Sequence, residues 1–219
     1  MGVVAALLAL ASVAGQVSKY VFGHDQVYGL VPIFYVDDEQ NIPALFSVLL
    51  LAGAAFLLTV LTVLKRQQRD RDTIRWGILA AGFLVMAVDE ACSLHEKLIP
   101  FFRRLLGKGT LGIFYFAWVI PGIAVVGLVG LFYLRFLFRL PPRARLTFVV
   151  AATLFVGGTL GLELIGGRYA EVHGSQNLTY SMLATIEESL EMAGVIVFIY
   201  ALLDYMADSH DDIRVGFDR

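Results

Sequence analysis

Six stretches of this chain run predominantly apolar for about 20 residues each, over roughly 2–22, 43–64, 76–100, 113–138, 146–167 and 181–206. A helix of about 20 residues crosses roughly 30 Å of hydrocarbon. In lipid, every backbone N–H and C=O must be satisfied inside the segment or in a closed barrel. The runs lack the strict alternation of barrel strands, so helices are the remaining solution. Of 219 residues, 58% are hydrophobic and 16% charged. Soluble domains run nearer 45–50% apolar and about 25% charged. The fold class expected is all-α: a polytopic transmembrane bundle of six spans forming a single domain over 1–219.

Lys and Arg set the expected orientation, because they accumulate on the cytoplasmic side. Lys65, Arg66, Arg69, Arg71 and Arg75 follow span 2, Arg135, Arg139, Arg143 and Arg145 surround the link between spans 4 and 5, and Arg214 and Arg219 lie in the tail. On the opposite side stand fewer: Lys19, Lys97, Arg103, Arg104, Lys108 and Arg168. Both termini are therefore expected in the cytoplasm. The opening MGVVAALLALASVAG has no basic leader region, so it reads as a retained first span. The setting expected is the bacterial inner membrane, with the bilayer as partner and other membrane subunits as possible neighbours. A net charge of −2 without a basic stripe gives no nucleic-acid surface. One cysteine, Cys92, excludes an intrachain disulfide framework.

Carboxylates interrupt three of the spans. Span 3 carries Asp89, Glu90 and Glu96, span 5 carries Glu163, and span 6 carries Glu187, Glu188 and Glu191. An acid at mid-bilayer costs about 2.5–3.5 kcal/mol on insertion scales and usually marks function. At 1.5 Å per residue, Asp89 lies about 20 Å and Glu163 about 25 Å from the cytoplasmic ends of their spans, and Glu187 to Glu191 about 10–15 Å below the outer end of theirs. All reach one level in the outer half of the bilayer. Asp89, Cys92, Ser93 and Glu96 also share one face of an uninterrupted helix.

Like charges gathered at low dielectric require retained protons or a bound cation. Carboxylates with an imidazole suit Fe, Mn or Zn. The ligand set expected for a divalent or di-metal centre is Asp89, His95, Glu96, Glu163, Glu188 and Glu191. Glu90, Ser93, Glu187 and the loop residue His173 would form a surrounding shell or proton network. The Glu-x-x-His pattern of di-iron bundles is absent.

The segments DDEQNIPALFSVLLL (37–51), VDEACSLHEKL (88–98), YFAWVIPG (115–122), GLELIGG (161–167) and IEESLEMAG (186–194) resemble a bacterial family of six-span integral membrane proteins. The resemblance covers most of the chain beyond about residue 30 and implies the span architecture, without an activity. It departs at Ala44, where the pattern has Thr after Asn-Ile-Pro. Three functions fit these residues: a metal-binding membrane protein, with a membrane metalloenzyme as its strongest form; a proton- or cation-coupled transporter; and an accessory subunit of a larger membrane complex.

Overall fold

A computed structural model of the chain describes residues 1–106 and 111–214, without the side chains of Glu96, Leu106 and 209–214. Among the described residues the regular structure is helical. The elements are α1 (Gly2–Phe22), α2 (Leu30–Phe34), α3 (Ile42–Gln67), α4 (Thr73–Cys92), α5 (Leu94–Leu106), α6 (Val119–Leu137), α7 (Pro142–Val156), α8 (Glu163–His173) and α9 (Leu178–Arg214). A π-helical segment, Gly157–Leu162, joins α7 to α8 without a turn.

Five helical stretches are long and apolar enough to cross a membrane, so the chain is a multi-pass helical membrane protein. The third expected span is different. It breaks after Cys92, and the two parts are bent by 94°. The cause lies in side chains that hydropathy does not weigh. Ser93 takes the left-handed conformation at φ 50°. Asp89 Oδ1 accepts the backbone N–H of His95 at 2.9 Å, which supplies a partner to the otherwise orphaned first turn of α5. Lys97 Nζ donates to the carbonyl of Cys92 at 2.6 Å and closes the end of α4. α5 is then an amphipathic helix, with Leu94, Leu98, Phe101 and Leu105 exposed along one side, as befits a helix lying in a membrane interface. Glu96 therefore does not share an uninterrupted helical face with Asp89.

α9 is the central post, packing against α1, α3 and α7. Two glycines let it meet the α7–π–α8 stretch closely. A Cβ on Gly194 would lie 2.7 Å from the backbone nitrogen of Phe155, and one on Gly158 would lie 2.9 Å from the carbonyl of Glu187. Backbones at such range are how small residues join membrane helices. Against α1 the joint is polar: Ser12, Gln16, Ser181 and Thr185 are all buried, with Ser12 Oγ 3.3 Å from Thr185 Oγ1.

The end bearing the Lys65–Arg75 link is sealed by Trp76, Phe136, Phe148 and Leu202. Asp72 pairs there with Arg75 and Arg139, and Tyr133 donates to the carbonyl of Arg75 at 2.7 Å. α6 is held at that end through Tyr133 and Phe136. At its other end Gly122 approaches Leu160. Between them residues 123–132 are exposed on every side.

Candidate acid site

The π segment adds residues to a helical turn and re-aims the helix beyond it. Glu163 then opens α8 facing both α9 and the start of α6. Trp118 Nε1 donates to Glu163 Oε1 at 2.8 Å. The carboxyl groups of Glu163 and Glu187 lie within hydrogen-bonding reach of each other. One turn along α9, Glu191 reaches the hydroxyl of Thr159, whose own hydrogen goes to the carbonyl of Phe155 at 2.9 Å. Glu188 lies close enough to feel the charges of Glu191 and Glu90. Each of these four glutamates is half-buried.

The α4–α5 corner stands opposite. Asp89 Oδ2 lies 3.0 Å from His95 Nδ1, and the imidazole packs 5.1 Å from the Trp118 ring. Trp118 thus stands between His95 and Glu163. Glu90 faces Glu39 as well as Asp89 and His95. Ser93 supplies the left-handed corner itself. Cys92 is exposed. His173, at the end of α8, is exposed and stacks 4.6 Å over Tyr169. The side chain of Glu96 lies outside the described residues.

Among the described residues, no three His, Cys, Asp or Glu side chains are grouped so as to hold a metal ion. The acids gather as neighbours in pairs, along a path, rather than round one point.

Several participants were not singled out by sequence. The Tyr35–Gln40 turn folds over the acids, held by Asn41, whose Oδ1 caps α3 through the Ala44 N–H at 3.0 Å and whose amide donates to the carbonyl of Tyr35. Position 44 contributes its backbone here. Asp37 acts electrostatically on both Glu163 and Glu188, and it accepts a hydrogen bond from Tyr35 Oη at 2.9 Å. Burial, reinforced by Asp37, holds the Tyr35 phenol above its usual range. Burial likewise raises the Asp38 carboxyl, against the pull of Lys19. Glu171 anchors the approach to α6, accepting the N–H groups of Leu111 at 2.7 Å and Gly112 at 3.1 Å. Its only sequence signal is Arg168 three residues earlier.

Beside the turn lies a cavity of about 250 Å³, lined by residues of α1, the Tyr35–Asp38 turn, the approach to α6, and the α8–α9 link. Asp37, in its lining, links it electrostatically to Glu163 and Glu188.

These features define a multi-pass helical membrane protein whose interior acids sit towards one end, under a polar vestibule. More particularly, the chain belongs to the family described as Domain of unknown function (DUF8692), whose model matches residues 1–206. No curated protein and no solved structure matches it.

Proposed function

We propose that the protein is a proton-linked cation carrier of the bacterial inner membrane, with both termini in the cytoplasm and the vestibule on the outside. The observation that carries this reading is the contact between Glu163 and Glu187. Two carboxylates have no hydrogen to share, so a pair within hydrogen-bonding reach holds a proton between them. A cation arriving at the pair would displace that proton, and the exchange is the elementary act of coupling.

The surroundings support it. The pair sits beside a π segment, and the α4–α5 break lies across from it. Interrupted helices at a binding level are a recurring device of membrane carriers. Glu191, Glu188 and Glu90 extend the acids from the pair towards α4, and Asp37 extends them towards the vestibule. The opposite end is closed by the aromatic seal round Trp76.

The test is reconstitution into liposomes containing a pH-sensitive dye, with imposed gradients of sodium, potassium or an organic ammonium ion. Wild-type protein is expected to move protons against at least one of these gradients. Glu187→Gln keeps a hydrogen-bonding group but cannot ionise, and is expected to lower that flux at least tenfold. Equal flux with both proteins, or none from wild type with any cation, overturns the reading.

A second reading rests on Asp89 and His95. A carboxylate that fixes one ring nitrogen is the usual support of a metal-ligating imidazole. On that reading His95 helps to hold a divalent Fe, Mn or Zn ion at the α4–α5 corner, and the protein is a membrane metalloprotein. Elemental analysis of wild-type and Asp89→Asn protein separates the two: bound metal that falls in the variant favours the second.

A further inference from the structure

Most cations at the basic end are answered by an acid. Lys65 lies 3.8 Å from Asp70, Asp72 takes Arg71, Arg75 and Arg139, and Arg143 lies 3.2 Å from Asp204. Among the described residues Arg135 and Arg145 pair with no carboxylate. Arg135 is exposed in the last turn of α6, and Arg145 is half-buried in the first turn of α7. Phe138 joins the two. It stands three positions beyond Arg135, on the same side of α6, and the Arg145 guanidinium lies 5.7 Å from its ring centroid. That contact draws Arg145 across the α6–α7 link towards Arg135.

The same side of α6 continues into the membrane through Leu131 and Leu128, so that Leu128, Leu131, Arg135 and Phe138 fall at i, i+3, i+7 and i+10. All four are exposed. The rise from Leu128 to Phe138 is about 15 Å, half of the roughly 30 Å of bilayer hydrocarbon. The stripe is thus one leaflet deep, with the two guanidiniums at its outer margin. A guanidinium meets phosphate oxygens with two parallel hydrogen bonds. A second copy of the chain, docked on this face about an axis along the membrane normal, would set Arg135 against Arg135, so like charges oppose that occupant. We infer that this face of α6 seats one anionic phospholipid, with its phosphate between Arg135 and Arg145 and an acyl chain along Leu131 and Leu128. The seat lies at the opposite end from the Glu163–Glu187 pair and does not need that pair to move protons.

Native mass spectrometry of the full chain in a neutral maltoside detergent tests the seat, with dioleoyl phosphatidylglycerol and dioleoyl phosphatidylcholine offered in equal amounts. The glycerol lipid is expected to be bound at least about tenfold more than the choline lipid, whose head brings a positive charge to the guanidiniums. Arg135→Gln and Arg145→Gln are each expected to weaken its binding about fivefold. Arg69→Gln removes the same charge from the exposed link and is expected to leave binding unchanged. The free head, glycerophosphoglycerol, is expected not to displace the lipid at about a hundredfold excess, because it lacks the chain. The inference is overturned if the two lipids bind alike or not at all, if Arg135→Gln or Arg145→Gln binds the glycerol lipid no more weakly than Arg69→Gln does, or if the free head displaces it. A lipid-free dimer overturns it too, by putting a second copy on the stripe.

Discussion

Asp89 shows how a residue that reads as a ligand can be spent on the backbone. Its two oxygens meet the N–H and the Nδ1 of His95 at 2.9 and 3.0 Å, so it caps α5 and aims the ring together. Replacing a capping side chain by Ala costs about 0.5–2 kcal/mol. Asp89→Ala is expected near the upper end, because a charge-assisted bond is lost with it. Asp89→Asn keeps one acceptor and is expected to lose about half as much. Thermal unfolding in detergent, followed by helical circular dichroism, measures both. Equal melting temperatures for wild type and Asp89→Ala would remove the cap from the account. The acids themselves were legible, since a carboxylate in an apolar run stands out on composition alone. Their partners were not. Trp118 finds Glu163 across 45 positions, and Asp37 reads as a solvated loop acid until Asn41 folds its turn back over α9.

Hydropathy located the apolar runs but blurred what happens inside them. A window laid over 76–100 averages α4 with α5 and sees one span. Only the spacing of Leu94, Leu98, Phe101 and Leu105 betrays a separate amphipathic helix beyond Ser93. In span 5 Gly158 meets the backbone of α9 closely, but nothing in the spacing of the glycines announces a π segment. Glycine type alone does not say which positions carry weight. Gly194 and Gly127 both sit inside apolar helices. A Cβ at Gly194 would strike the Phe155 backbone at 2.7 Å, whereas at Gly127 nothing lies within 4 Å. Backbone cannot swing aside as a side chain does, so Gly194→Ala is expected to destabilise by about 1–3 kcal/mol, the usual range for overpacking. Gly127→Ala should be neutral or stabilising by up to about 1 kcal/mol, because alanine removes glycine's entropic penalty in a helix. Melting temperatures of the pair measured side by side check this. A Gly194→Ala protein that melts with wild type would mean that α7 and α9 are not in backbone contact.

At the scale of the molecule the two ends are chemically unlike. One is a basic end, where Asp72, Arg75 and Arg139 lock α4 to the chain beyond α6 over the Trp76 core. The other is acidic and aromatic, where the Tyr35–Gln40 turn, the approach to α6 and the α8–α9 link surround the vestibule, and the α4–α5 corner stands beside the acids. This polarity is why the Lys and Arg count favours one orientation, and why that count is close: α5 places Arg103 and Arg104 at the acidic end. Arg103 is partly absorbed there, its guanidinium 4.2 Å from the Tyr115 ring centroid and its Nε donating to the Tyr115 carbonyl. Basic residues occupied in this way are spent on structure, which strengthens the case for placing the exposed link residues in the cytoplasm. The single cysteine makes the arrangement directly testable. In a Cys92→Ser background, a cysteine introduced at Asp25 should react with a membrane-impermeant maleimide on intact spheroplasts. One at Arg69 should react only after permeabilisation. The reverse pattern would turn the molecule over, so that the vestibule and the acids beneath it would draw on the cytoplasm.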